Sequence, residues 1–118
     1  MKYSVIFSPE AEEQLVALYN HIADAALPDI AKRYTDGIVN YCESLHTFPI
    51  RGTMREDVRP GLRITNYKKR TIIAFEADEQ ALLVSILGIF YGGQDYEAIL
   101  SDEPDDEEET IKNPYSGF

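Results

Sequence analysis

The hydrophobic and polar positions between residues 62 and 91 predict three consecutive antiparallel strands. These strands span residues 62–67, 70–77 and 81–91, and they are dominated by β-branched and aromatic side chains, which suit a pleated, half-buried surface. A polar Asp-Glu-Gln tip at residues 78–80 joins the last two strands, which indicates a hairpin. Because a sheet of this size needs one covered face, we expect the helices before it to supply the cover. The side chains expected in the core are Phe75, Val84, Ile86 and Ile89.

Two helices precede the sheet, after a short alternating strand at residues 2–7. Ser8 fits the N-cap and Pro9 the first position of the first helix, which should end before Pro28. The second helix is predicted from Pro28 to the residue before Pro49, and the short link makes the pair an antiparallel hairpin. Apolar residues recur at three- and four-residue steps on one face of each helix: Ala11, Leu15, Leu18 and Ile22 in the first, and Ile30, Tyr34, Ile38, Tyr41, Leu45 and Phe48 in the second.

The remaining segments complete a predicted α+β fold. Gly37 lies inside the second helix at a cost of ~1 kcal/mol relative to Ala, which favours a close approach to another element. Residues 50–61 are predicted to form an Arg-rich loop, and residues 94–100 a short helix that docks through Tyr96, Ile99 and Leu100. The predicted architecture is an N-terminal strand and an antiparallel helix hairpin packed on a mainly antiparallel sheet, with a C-terminal three-stranded meander.

Charge divides the chain into a predicted domain at residues 1–100 and an acidic tail at residues 101–118. The formal net charge is −10, yet residues 51–70 hold seven basic and two acidic residues. The tail holds seven acidic residues and one Lys, and its composition predicts disorder. A basic patch on an acidic protein favours an acidic partner, either protein or nucleic acid. The other interpretation is a strand edge that carries Lys and Arg against edge-to-edge pairing.

Several classes of function lack the residues that they need. The longest apolar run, residues 81–91, is shorter than the ~20 residues of a membrane-spanning helix, and the N-terminus has no signal-peptide pattern. The single Cys42 predicts a buried helix residue in a reducing cytoplasm. His21 and His46 lie on separate predicted helices as ordinary surface side chains, and no phosphate-binding loop or metal-ligand spacing occurs. We therefore expect no cofactor, no metal site and no membrane partner.

The order of these elements resembles the RelE/ParE superfamily of toxins from bacterial type II toxin–antitoxin modules. Four segments within residues 2–100 carry the resemblance: SPEAEEQL, IAKRYTDGIVNYCESLHTFP, PGLRITNYKKRTIIAFEAD and LLVSILGIFYGGQDYEAIL. The resemblance implies a small cytoplasmic α+β toxin, encoded beside a cognate antitoxin that wraps and neutralises it, and a role in plasmid stabilisation. RelE-type members cleave mRNA in the ribosome, whereas ParE-type members poison DNA gyrase without cleaving RNA.

The RelE-type interpretation assigns catalysis to a set of basic residues and a tyrosine. Attack by a 2′-hydroxyl needs proton transfer and stabilisation of extra negative charge on phosphate. RelE-type members place an Arg at the end of the last strand, where this chain has Tyr-Gly-Gly at residues 91–93. No basic residue occurs in residues 71–111. The resemblance therefore favours a ParE-like toxin that acts by binding, without catalytic residues. The matching ribonuclease residues are Arg63, Lys68, Lys69 and Tyr96.

Binding of the antitoxin or the target is assigned to the basic patch and its aromatic neighbours. The predicted contacts are Arg59, Arg63, Tyr67, Lys68, Lys69, Arg70 and Tyr91. Two alternatives stay open: Arg63 pairs with a helix carboxylate, and Tyr67 and Tyr91 only pack on the sheet. The expected partners are a cognate antitoxin and DNA gyrase, without direct sequence-specific binding of nucleic acid. A third interpretation is an inert interaction protein whose acidic tail covers the patch.

Overall fold

The computed structural model describes residues 2–101, which form one five-stranded sheet and three α-helices. The strand order is β1-β5-β4-β3-β2, in which β1 is parallel to β5 and the other neighbours are antiparallel. The predicted α+β fold class is confirmed. The elements are β1 Ser4–Phe7, α1 Pro9–Ala25, α2 Pro28–Glu43, β2 Thr53–Met54, β3 Arg63–Tyr67, β4 Thr71–Asp78, β5 Leu83–Tyr91 and α3 Tyr96–Leu100.

The start of α1 follows the predicted capping chemistry. The Ser8 hydroxyl accepts a hydrogen bond from the backbone N–H of Ala11 at 3.0 Å, and Pro9 occupies the first turn. The apolar stripe of α1 also contains a buried polar residue that the hydrophobic pattern does not indicate. Gln14 is only 6% exposed, and its Oε1 accepts the backbone N–H of Ile89 in β5 at 2.7 Å. The amide thus satisfies a buried backbone donor and ties α1 to the sheet.

Apolar side chains cover both faces of the sheet, but α1 and α2 pack on only one of them. We call the face on which α1 and α2 pack the helix face. It contains the four predicted core residues Phe75, Val84, Ile86 and Ile89, which are confirmed as buried. The opposite face carries α3 and the segment before β3, so we call it the α3 face. Its buried cluster is Leu62, Ala74, Phe90 and Leu100, with Val58, Ile64, Ile72, Leu87 and Tyr96 packed around it.

The second helix differs from its prediction at both ends of the apolar stripe. The α-helix ends at Glu43 and continues as a short 3₁₀ turn, Ser44–His46, so Phe48 lies beyond it and is 64% exposed. Ile30 is 42% exposed. The fully buried positions of α2 lie one residue later than predicted at three of four places, where small side chains leave room for α1 and the sheet. They are Ala31, Thr35, Ile38 and Cys42.

Two further corrections concern the strands and the C-terminal helix. The predicted loop at residues 50–61 contains the edge strand Thr53–Met54, which is too short to show a period in the sequence. Arg70 belongs to the turn before β4 rather than to the strand. In α3, Tyr96 and Leu100 pack on the sheet as predicted, whereas Ile99 is 38% exposed. A helix of five residues has room to bury only one side.

Cys42 is fully buried on α2, as predicted. Burial raises the pKa of its thiol to about 12, because the surrounding apolar side chains disfavour the thiolate. The thiol therefore stays protonated at neutral pH and serves as a small core side chain.

Within residues 2–101, no helix combines the length and the apolar character needed to cross a membrane. The predicted acidic tail lies outside the described residues except for Ser101.

Candidate functional site

The turn between β3 and β4 presents two consecutive lysines on an unusual backbone. Lys68 and Lys69 have φ angles of 53° and 64°, in the left-handed region that glycine and asparagine normally occupy. This conformation costs roughly 1–2 kcal/mol for each residue with a Cβ atom. Both lysines and Arg70 are exposed, and the backbone N–H of Arg70 donates to the carbonyl of Tyr67 at 3.3 Å to close the turn. The strained turn thus holds three cations together at one end of the sheet.

The end of β5 lies beside this turn. The backbone N–H of Gly92 donates to the carbonyl of Arg70 at 3.0 Å, and Tyr91 is paired with Thr71 in the β4–β5 ladder. Gly92 has a φ of 68°, which suits glycine and lets the chain turn away from the sheet. The structure therefore brings together five of the seven predicted binding residues. We call this group the basic end: Tyr67, Lys68, Lys69, Arg70 and Tyr91.

Tyr34 of α2 supports the basic end from the helix face. Its ring lies edge-on to those of Tyr67 and Tyr91, with centroids 5.5 and 6.0 Å away. Its hydroxyl shares a 2.7 Å hydrogen bond with Oγ1 of the buried Thr71. Burial raises the pKa of Tyr34, and the hydrogen bond to Thr71 opposes that shift. Tyr34 therefore fixes both tyrosines of the basic end against β4.

Tyr67 approaches α2 where the sequence predicts a close contact. A Cβ atom built on Gly37 collides with the hydroxyl of Tyr67, so this position needs a glycine. The Tyr67 ring is held by Tyr34 and by Tyr41, whose centroid is 5.8 Å away. Nζ of Lys68 lies 5.7 Å from the same ring centroid, within the range of a cation–π contact. The Tyr67 ring thus lies against α2 and within reach of one cation of the turn.

The other two predicted binding residues lie away from the basic end. Arg63 stands opposite Phe75 in the β3–β4 ladder and therefore on the helix face. Its Nη1 donates to the carbonyl of Arg51 at 3.3 Å, so it meets a backbone oxygen rather than a helix carboxylate. Arg59 lies beside β4, with its Nε 4.0 Å from a carboxylate oxygen of Glu76.

The structure does not bring the predicted ribonuclease residues together. Arg63 is on the helix face, Lys68 and Lys69 are at the turn, and Tyr96 packs within the cluster of the α3 face. The Tyr96 hydroxyl accepts a hydrogen bond from Arg55, and its ring lies 5.7 Å from that guanidinium. The sheet itself therefore separates the tyrosine from Arg63.

Arg55 is a central residue that the sequence patterns do not reveal. Its guanidinium donates to Asp57 at 2.7 and 2.9 Å and to Glu97 at 2.8 Å, in addition to Tyr96. These carboxylates raise the pKa of Arg55, and the guanidinium lowers that of Asp57. No local signal could have identified the contact, because Glu97 is 42 positions away. Arg55 fastens α3 to the loop before β3.

Replacing Arg55 by Ala is expected to loosen α3 without unfolding the sheet. The amide protons of residues 98–100 should exchange faster, whereas those of β4 and β5 should keep their protection. The pKa of Asp57 is lower in the folded state than in the unfolded state. The stabilisation by its ionised carboxylate is therefore fully present above the unfolded pKa and is lost as the pH falls through the folded pKa. The Arg55–Asp57 ion pair, which lies within the loop before β3, should therefore weaken below about pH 4. Arg59→Ala is the matched control, and equal loosening by both variants would contradict the assignment.

Comparisons with known proteins identify the family of the chain and agree with its fold. The family model for the ParE toxin of the type II toxin–antitoxin system parDE matches residues 5–96. Among solved structures, the chromosomal ParDE toxin–antitoxin system from P. aeruginosa matches at a TM-score of 0.67 and 22% identity, covering 78% of this chain and 98% of that one. The toxin–antitoxin complex RelBE2 from Mycobacterium tuberculosis matches at 0.60 and 18%, covering 77% and 92%. None of the curated proteins matches the sequence. The family model covers well over half of the chain, which therefore belongs to the ParE toxin family of type II toxin–antitoxin systems.

Proposed function

We propose that this chain is the toxin of a type II toxin–antitoxin module, that it inhibits DNA gyrase by binding it, and that a cognate antitoxin neutralises it in the cytoplasm. The observation that carries the proposal is the separation of the residues that RNA cleavage would need. Arg63 and Tyr96 lie on opposite faces of the sheet, and β5 ends at Tyr91 and is followed by two glycines rather than by an arginine. Stabilisation of a developing phosphate charge requires donors that converge on one point.

The basic end is the proposed contact surface for gyrase and for the antitoxin. Its exposed cations suit acidic side chains of a protein partner, and charge complementarity speeds and orients the encounter. Tyr67 and Tyr91 are partly exposed beside these cations and offer aromatic contact area. An antitoxin segment that folds on binding would cover this surface and exclude the target.

Induction of this chain in bacteria, with DNA and RNA read from one culture, tests the proposal. Growth arrest with double-strand breaks, filamentous cells and intact mRNA is the expected result. Arrest with mRNA cut at codon positions would identify a ribosome-dependent endoribonuclease instead. In that event, Arg63→Ala combined with Lys69→Ala should abolish the cuts. For a gyrase inhibitor, the native chain and this double variant should give the same RNA profile.

A further inference from the structure

The two edges of the sheet differ in how well they are protected against pairing with another strand. β2 forms one edge and has only two residues, so it offers little backbone to a partner. β1 forms the other edge and has the sequence Ser-Val-Ile-Phe. It contains no charge and no proline, and its register with β5 is regular, so it lacks the features that usually stop edge strands from pairing. The outer side of β1, which we call the β1 edge, is therefore open to a further strand.

Alternate residues of β1 face β5. The backbone N–H of Ser4 donates to the carbonyl of Leu82 at 2.9 Å. The N–H of Ser8 donates to the carbonyl of Ile86, also at 2.9 Å. In a parallel ladder with this spacing, Ile6 likewise directs its backbone groups toward β5. The residues between these three therefore direct their backbone groups outward, away from the sheet.

The outward groups at this edge belong to Tyr3, Val5 and Phe7. The N–H of Tyr3 donates to the carbonyl of His46 at 2.9 Å, so the 3₁₀ turn closes the edge at its start. Within residues 2–101, the outward N–H and C=O groups of Val5 and Phe7 meet no hydrogen-bond partner. Every residue of β1 is at least partly exposed, and Ile6, which alternates with Val5 and Phe7 and so lies on the α3 face, is 48% exposed. Four backbone groups and one large apolar side chain are thus open at the β1 edge.

We propose that the β1 edge pairs with the β1 edge of a second copy of this chain, antiparallel and about a two-fold axis at Ile6. In this register, Val5 of each copy stands opposite Phe7 of the other, and the two residues of each pair exchange both of their hydrogen bonds. All four open groups of each copy are then satisfied by the same surface of the other, as in the two-fold interfaces that are commonest in homodimers. The two Ile6 side chains meet at the closer, non-hydrogen-bonded position of the ladder.

The charges at the two ends of β1 fit this register. It places Ser4 of one copy opposite Ser8 of the other, so Lys2 reaches the first turn of α1 in the second copy. That turn carries the exposed carboxylates of Glu10 and Glu12. The two acidic turns lie at opposite ends of the ladder, so each meets a lysine of the other copy rather than the other acidic turn. Charge complementarity of this kind favours a second copy in this register over others.

The contact leaves the basic end free on both copies. β1 pairs with residues 83–86 of β5, and Tyr91 lies five residues beyond Ile86 on that strand. At ~3.4 Å per residue, that separation is about 17 Å. The dimer is therefore independent of the proposed function, because the surface assigned to gyrase and the antitoxin stays open.

Hydrogen exchange of the native full-length chain tests the register residue by residue. Two strand edges form a small interface, for which we expect micromolar affinity, so the chain is compared at about 0.1 mM and about 0.1 µM. At the higher concentration the amide protons of Val5 and Phe7 should be protected, and on dilution they should exchange freely. The amide of Ile6 is the control within the same strand, because it faces β5 and should stay protected at both concentrations.

Sedimentation of matched variants gives a second measurement. At about 0.1 mM, the native chain should sediment at about twice its mass of 13.4 kDa. Ile6→Lys places two lysines opposite each other and should sediment as a monomer. Ile30→Lys replaces an apolar residue of similar exposure, 42%, on α2 and should remain a dimer. The melting temperature of each variant confirms that it is folded.

Three results would overturn the proposed dimer. A native chain that is monomeric at about 0.1 mM would leave a strand of a different protein as the occupant of the β1 edge. Protection of Val5 and Phe7 that persists unchanged on dilution would mean that the chain covers its own edge. Equal behaviour of Ile6→Lys and Ile30→Lys would place the contact elsewhere. Neither measurement involves gyrase, an antitoxin or growth, so failure of the dimer leaves the proposed toxin function intact.

Discussion

Reversing the charge of the β3–β4 turn by Lys68→Glu with Lys69→Glu is expected to abolish most of the growth inhibition by this toxin. Both side chains are exposed, so the folded structure should tolerate the change. Electrostatic steering raises association rates by ~10- to 1,000-fold, and reversing two of the three cations should remove most of that gain. The measurement is plating efficiency after induction, with the melting temperature of each purified variant to confirm folding.

Two single variants with the same change of charge separate the effect of its position from the effect of net charge. Lys69→Glu and Lys2→Glu change the net charge equally, but Lys2 lies just before β1, which pairs with the start of β5 at the opposite end of the sheet. Lys69→Glu should weaken growth inhibition, and Lys2→Glu should leave it unchanged. If both variants lose inhibition to the same extent, net charge matters and the basic end has no special role.

Replacing Gly37 by Ala is expected to destabilise the fold by about 1–2 kcal/mol. The added Cβ meets the Tyr67 hydroxyl, and packing against Tyr34 and Tyr41 restrains the ring from moving aside. Overpacking typically costs ~1–3 kcal/mol, and the better helix propensity of Ala returns up to ~1 kcal/mol. For a domain of this size, thermal unfolding should shift down by about 5–10 °C.

The Tyr67→Phe variant tests the cause of that loss. It removes the hydroxyl that collides with the new Cβ, although the ring carbon Cζ remains 3.2 Å from it, so rescue should be partial. The double variant should recover about half of the stability lost by Gly37→Ala, which gives a coupling energy of about 0.5–1 kcal/mol. The exposed Asn40 of α2 is the control position, and Asn40→Ala should not lower stability. Additive effects of the Gly37 and Tyr67 changes would show that the contact is not the cause.

The sequence predicted most of the fold because local signals agreed with one another. Ser8 and Pro9 marked the start of α1, and the β-branched and aromatic side chains of residues 62–91 identified the sheet and its core. The errors arose where packing overrides the pattern. The second helix buries the small residues Ala31 and Thr35 in place of Ile30, since close helix packing favours small side chains over large ones. A two-residue edge strand has no period to detect.

The candidate site was predictable in part for a different reason. Tyr67, Lys68, Lys69 and Arg70 are consecutive, so their proximity follows from a single turn. Tyr91 lies beside them because the register of the β4–β5 hairpin pairs it with Thr71, the residue after Arg70. The supporting contacts were beyond sequence reasoning, because they join distant positions: Tyr34 with Thr71, and Arg55 with Glu97. Nothing in a single sequence indicates which of several tyrosines or arginines will meet across the fold.

Inhibition of purified DNA gyrase tests the central claim most directly. The full-length chain is added to gyrase with relaxed plasmid, and in parallel to ribosomes that carry a defined mRNA. We predict loss of supercoiling or accumulation of cleaved plasmid, with the mRNA intact, and a weaker effect for Lys68→Glu with Lys69→Glu. Cleavage of the mRNA on the ribosome together with normal supercoiling would contradict the account.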